Sequence, residues 1–362
     1  STMLIRAIFL PVLLLCVASL FSQEAIRFFT VKQGLSQNSV TSILRSKDGM
    51  LWVGTQDGLN RFDGYSFTHY RHDADDSLSI SDQYITAIHE DKQGNIWVGT
   101  RHGLNLFNKK NGSFTRIYPD VKSRNKVQSQ THAIASMGDK YLLASIATNV
   151  YRLAIPNRKI IQLNKGAIDQ DNIAFAEGRI WHIWDPEHVC NIDNCSSPNH
   201  QQLKKRSDAE LLTDMLYADH TTKLWHLSLQ ENKSLVSIYD TRIKSWETKS
   251  IEIPSRINHV AFDRNNQPWL STEDGIFTIN SSGIAIPFKE GNKKFNGKLL
   301  CMYPDQDGLI WMGYADKGLA MYNPTTNLFK LETTDTENKT IFTSLELADG
   351  NLLMGGAFGA VI

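Results

Sequence analysis

Two kinds of residue in this chain have types and spacings that chemistry can use. In "EHVCNIDNCSSPNH", Cys190 and Cys195 stand five apart between His188 and His200. Thiols so placed can close a small disulfide loop in an oxidising compartment, stay free, or join the histidines around zinc. Their spacing matches no strong zinc pattern, and all three readings stay open. The second kind is a set of polar letters at one position of a recurring phrase. "VGTQDGLN" carries Gln56 and Asp57, and "VGTRHGLN" carries Arg101 and His102. Glu273 falls at the same position further on, and Trp184 takes the place of Thr55 and Thr100 just before it. Amides, carboxylates, an indole and a few cations on one surface suit a small hydroxylated ligand, and a cation there suits an acidic sugar.

Signatures of catalysis are missing. The sequence has no glycine-rich phosphate loop, no G-x-S-x-G elbow and no H-E-x-x-H. Most acidic residues sit in turns, where backbone hydrogen bonding already explains them. A carboxylate pair at a channel mouth would be the alternative, a carbohydrate-cleaving site. No catalytic residue, metal site or cofactor is assigned to this chain.

The recurring phrase decides which elements hold these letters. "DGMLWVGTQDGLNRFDG" at 48–64 returns as "QGNIWVGTRHGLNLFNK" at 93–109. With the tryptophan as marker, the series runs Trp52, Trp97, Leu142, Trp181, Trp225, Trp269, Trp311 and Leu353, at steps of 39 to 45 residues. A polar turn precedes each marker, and a run rich in β-branched residues precedes each turn. In the first unit "VTSILR", "MLWVGT", "LNRFD" and "FTHYRH" read as strands A to D, joined by Asp- and Gly-bearing turns. Four antiparallel strands in each forty-odd residues is the grammar of a propeller blade. The expected fold is all-β: a seven-bladed β-propeller of four-stranded antiparallel blades, followed by the start of a second propeller. The expected boundaries are residues 1–22 for an N-terminal segment, 23–335 for the propeller and 336–362 for the first part of an eighth repeat. The repeat tryptophans and the glycines two places on (Gly54, Gly99, Gly313) are expected to pack between blades. Arg27 to Val31 reads as an outer strand without a blade of its own. It is expected to close the ring on the seventh repeat near Leu319 to Tyr322.

In such a blade strand A lines the channel, so the loops entering A and the B–C turns share one face. The candidate ligand-binding residues are therefore Asp57, Arg101, His102, Trp184 and Glu273.

Charge and targeting complete the reading. The chain has 38 basic and 38 acidic residues, which gives no electrostatic footprint for nucleic acid or an anionic membrane. The apolar run from Ala7 to Leu20 follows Arg6 and is too short for a spanning helix of about twenty residues. It fits the core of a secretory signal, with an uncleaved membrane anchor as the rival reading. Cys301, in "LLCMY", reads as a core residue.

At "GLSQNSVTSILRSKDGMLWVGTQDGLNRFDGYSFTHY", residues 34–70, the sequence resembles the two-component regulator propeller family. Residues 84–118 match nearly as well, and the middle repeats have drifted, with Ala144 in place of the repeat glycine. The resemblance implies the periplasmic sensor of a bacterial inner-membrane protein, attached to the membrane only through segments outside the propeller. It implies a histidine kinase, in some members a hybrid with a response regulator, or else a diguanylate cyclase as output. It further implies an oligosaccharide or other small ligand, and dimeric self-association of the complete sensor. A secreted carbohydrate-active enzyme and a protein-assembly scaffold are the competing readings.

Overall fold

The structure is a computed structural model. It describes residues 26–119, 129–147, 149–163, 173–176, 179–185, 188–191, 201–202, 214–230, 232–243, 245–247, 250–280, 282–290, 293–323, 341–346, 352–356 and 359–361. The chain divides into two compact units, Ser1–Pro324 and Thr325–Ile362.

Local chemistry writes the first sheet as the repeat grammar requires. Strands β2 (Val40–Arg45), β3 (Leu51–Thr55), β4 (Gly58–Phe62) and β5 (Phe67–Tyr70) pair in chain order, all antiparallel. Between β2 and β3 the chain reverses through Gly49, whose φ of 85° lies in the left-handed region that glycine enters freely. The next sheets repeat the plan. One holds β6 (Ile85–Glu90), β7 (Ile96–Thr100), β8 (Gly103–Asn108) and β9 (Ser113–Ile117). Another holds β10 (Thr131–Met137), β11 (Tyr141–Ile146), β12 (Asn149–Ala154) and β13 (Ile160–Gln162). A fourth holds β14 (Ile173–Ala176), β15 (Arg179–Asp185), β16 (His188–Asn191) and β17 (Gln201–Gln202).

The fifth sheet departs from the plan. Its strands β18 (Asp214–Ala218), β19 (Lys223–Gln230) and β20 (Lys233–Asp240) are joined by two short pieces, β21 (Ser245–Trp246) and β22 (Ile251–Ile253). Both pieces pair with β20, at Tyr239–Asp240 and at Ser234–Val236, with a two-residue slip between the two registers. Together they occupy the outer edge of the sheet. The expectation of seven four-stranded blades is therefore corrected: the described residues complete that pattern in six sheets, and this one has five strands.

The sixth sheet returns to four strands, β23 (Ile257–Phe262), β24 (Pro268–Thr272), β25 (Gly275–Ile279) and β26 (Ala285–Pro287). A two-stranded hairpin, β27 (Lys289–Glu290) with β28 (Lys293–Lys294), follows it. The last four-stranded sheet takes β29 (Leu299–Pro304), β30 (Ile310–Tyr314) and β31 (Leu319–Tyr322) from the end of the unit. Its outer strand is β1 (Ile26–Phe29), from the beginning. The register is Ile26 opposite Tyr322 and Phe29 opposite Leu319, the closure expected from the sequence. The strand is shorter than expected. Thr30 leaves it to cap a single 3-10 turn, Val31–Gln33. The second unit shows three strands in the same grammar, β32 (Ile341–Glu346), β33 (Leu352–Gly356) and β34 (Gly359–Val361).

Packing between sheets explains the tryptophans and glycines. The Trp52 ring is 1% exposed and meets Phe107 of the next sheet edge-on at 4.9 Å. A Cβ at Gly54 would lie 2.6 Å from Ile85 Cγ2, so only glycine lets β3 and β6 approach this closely. Trp311 packs against Phe29, and Phe29 against Phe62, which seals the closing strand into the first and last sheets. No helix among the described residues is long and apolar enough to cross a membrane.

Candidate ligand-binding face

Strand ends carry the candidate residues to one place. After β3 the chain turns through Gln56 and Asp57, and Thr55 Oγ1 fixes the turn by accepting from Asp57 N and donating to Gly58 O. Thr100 and Thr272 do the same after β7 and β24. In five sheets the B–C turn donates a backbone N–H to the loop entering its own sheet: Gln56 to Ser39 O, Arg101 to Tyr84 O, Ala147 to Gln130 O, Glu273 to Arg256 O and Ala315 to Lys298 O. Some turns also reach the neighbouring sheet, Gly58 N to Gln83 O at 2.7 Å and Gly318 N to Asn38 O at 2.9 Å. The second of these bonds joins the last sheet to the first. The B–C turns and the A-entry loops therefore share one face, as expected.

Buried amides stiffen that face from below. Asn60 is fully buried; its Oδ1 accepts from Ser36 N and its Nδ2 donates to Ser36 Oγ and Val53 O. Asn105 ties Ser81 into the second sheet in the same way. The asparagine of "GLN" is thus a structural tie between entry loop and blade.

The named residues divide into groups. Asp57 accepts from Arg71 Nη2 at 2.9 Å, an ion pair at the surface. Arg101 is exposed, and its Cζ lies 3.7 Å from the centroid of the Tyr84 ring. His102 packs edge-on towards Tyr118, with ring centroids 6.4 Å apart. These turns belong to adjacent sheets. Glu273 faces Lys298 Nζ at 3.9 Å, in a sheet not adjacent to those two. Trp184 lies within β15 rather than in a turn, and its side chain falls outside the described residues. Cys190 is in β16, and Cys195 and the side chain of Cys190 also fall outside. Among the described residues no three His, Cys, Asp or Glu side chains cluster as a metal site.

The opposite end of the strands holds features that turn chemistry alone conceals. Asp305 Oδ2 accepts from Trp311 Nε1 and from Arg45 Nη1, both at 2.9 Å, while Oδ1 accepts from the N–H groups of Asp307 and Leu309. Asp91 holds Trp97 Nε1 at 2.8 Å, and Ser46 holds Trp52 Nε1 at 3.2 Å. The signal in the sequence is a Ser or Asp six residues before the marker tryptophan. Asp219 breaks the rule: it binds Asn266 and Thr221, and Trp225 Nε1 stays buried without a partner. A cavity of about 140 Å³ lies at this end, lined by Arg45, Ser46, Lys47, Gly49, Tyr303, Gln306 and Asp307. Burial works against the charge of Arg45, but Asp305 and Asp307 outweigh it and raise its pKa. None of the candidate residues reaches this cavity.

The fold is that of an all-β propeller with four-stranded antiparallel blades. Residues 34–57 and 79–102 match the family described as "Two component regulator propeller". Its first two repeats are thus repeats of the two-component regulator propeller family. Over 60 residues the chain is 53% identical to a protein of Formosa agariphila called "Histidine kinase P4"; the match is 17% of this chain and 4% of that protein. Among solved structures, it is similar to the extracellular domain of a putative hybrid two component system from B. thetaiotaomicron. That likeness has 22% identity and a TM-score of 0.65, covering 93% of this chain and 48% of the other. A putative one component system from the same organism gives 17% identity and a TM-score of 0.62, covering 92% and 45%. A streptogramin B lyase structure gives 12% identity and a TM-score of 0.61, covering 82% and 97%. The chain spans about half the length of the two extracellular domains and a small part of the kinase.

Proposed function

We propose that this chain is the ligand-sensing part of a transmembrane two-component regulator with a histidine kinase output, and that it works in the periplasm. One observation carries the reading: family repeats at 34–57 and 79–102, together with the 53% identity to a histidine kinase over 60 residues. The ligand is an oligosaccharide or another small hydroxylated molecule, held on the face of A-entry loops and B–C turns. Asp57, Arg101, His102, Trp184 and Glu273 are its contacts. Supporting this are the backbone bonds that fix the turns in place, so that their side chains stand on a rigid platform. The membrane is reached through segments outside the propeller, and the complete sensor dimerises.

The test is phosphate incorporation by the complete protein in proteoliposomes, with and without a panel of oligosaccharides. Incorporation should change with one class of sugar. A sugar that binds the chain yet leaves incorporation unchanged, for every member of the panel that binds, refutes the sensor reading.

A further inference from the structure

We infer that the Arg101–Tyr84 pair is an anion-recognition fork, so that the ligand of this face carries a carboxylate or sulfate on its sugar. The inference rests on the sensor reading and narrows its ligand class.

Three other cations of the face already have partners. Arg71 is paired with Asp57 at 2.9 Å, Lys298 faces Glu273 at 3.9 Å, and Lys317 donates to Asn296 O at 2.7 Å. Arg256 is exposed without an ion pair among the described residues, but no ring holds it. Arg101 has no ion-pair partner among the described residues either, and it lies against Tyr84 at 3.7 Å. A phenol face orients a guanidinium without cancelling its charge, and it leaves the N–H edges free. Arginine so held presents a planar fork that matches two oxygens of a carboxylate or sulfate, with part of its side-chain entropy already lost.

The platform under the pair is rigid at both ends. Tyr84 N donates to Asp82 Oδ1 at 2.7 Å, and Tyr84 O accepts from Arg101 N at 3.1 Å. Thr100 Oγ1 accepts from His102 N at 3.0 Å and is hydrogen-bonded to Ser81 Oγ at 2.8 Å. The same backbone bond in other sheets joins Gln56 with Ser39, Ala147 with Gln130, Glu273 with Arg256 and Ala315 with Lys298. Among the described residues, only the second sheet puts a cation and an aromatic ring on the two ends of that bond. Sequence periodicity permits any pair there, so the combination is a local choice within a conserved frame of turn chemistry.

Calorimetric titration of the full chain tests this with three probes: trigalacturonic acid, its fully methyl-esterified form, and a sulfated galactose trisaccharide. At least one acid should bind, and the ester should bind ten-fold or more weaker than trigalacturonic acid if the carboxylate is the anion read. R101Q should weaken the acid ten-fold or more, and R101K should fall between, since lysine keeps the charge and loses the fork. Arg101 is exposed, so both variants should keep the wild-type circular dichroism spectrum and thermal midpoint. Preference for the sulfated probe assigns the anion to sulfate, and preference for trigalacturonic acid to carboxylate. Binding of neither acid overturns the inference, as does an R101Q variant that binds the acid as well as wild type. Equal binding of the ester by wild type and R101Q, without any preference for acid, overturns the inference while leaving the sensor reading standing.

Discussion

Removing the carboxylate of Asp305 should unfasten the seam between the last sheet and the first. Its side chain has no exposed surface, and its two oxygens accept four hydrogen bonds, from Trp311 Nε1, Arg45 Nη1 and the N–H groups of Asp307 and Leu309. Asp305→Ala leaves a buried indole N–H and two backbone N–H groups without acceptors, at about 1–3 kcal/mol each if no water enters. Arg45 suffers less, because it is part-exposed and keeps Asp307 at 2.6 Å. These losses are not additive, and about 4 kcal/mol is the expected loss. Asp305→Asn keeps one acceptor oxygen but turns an amide N–H towards two donors, and about 2 kcal/mol should go. Urea unfolding followed by tryptophan fluorescence and by circular dichroism reads both variants. With a slope of about 3 kcal/mol per molar urea, Asp305→Ala should lower the midpoint by about 1.3 M. The two probes must coincide for that conversion to hold. A loss below about 1 kcal/mol for Asp305→Ala would mean that water replaces the carboxylate and that the seam does not depend on it.

Gly54→Ala should cost about 1–3 kcal/mol, because its Cβ would lie 2.6 Å from Ile85 Cγ2. An unchanged midpoint in this variant counts against the close approach of β3 and β6. Phe29→Ala should cost about 3–5 kcal/mol, since the ring is 3% exposed between Phe62 and Trp311. Faster cleavage near residues 26–29 in limited proteolysis should accompany it, and wild-type resistance refutes closure by β1. Acid should weaken the fold between pH 6.5 and 4. Desolvation pushes His259 down to about 4, and it also brings His89 to about 4, with Asp91 opposing and Lys47 assisting. The unfolded chain binds these protons from about pH 6.5 downward while the folded chain refuses them, so stability is level above 6.5 and falls as pH drops towards 4. Thermal midpoints against pH should show this slope, and His259→Leu should flatten it.

The repeat, its four-strand grammar and the closing strand were legible in the sequence because each is a local property. Period, turn residues and alternation are written within a few dozen residues, and Arg27 to Val31 betrayed itself by lacking a blade. The position of Asp57, Arg101, His102 and Glu273 at the B–C turns followed from the same periodicity. Trp184 lies within β15 rather than in the turn, because the fourth repeat has drifted from the pattern. What periodicity could not supply was partnership. Arg71 neutralises Asp57, Lys298 faces Glu273, and Tyr84 holds Arg101 without neutralising it, and each pairing joins loops that only the folded sheets bring together. The buried carboxylate of Asp305 read as turn chemistry, yet Arg45 and Trp311 reach it from two different sheets and strands. Hydrogen bonds along one strand or turn are set by neighbours in the chain. The charges that remain free for a ligand are set by side chains far apart in it, and only tertiary structure decides them.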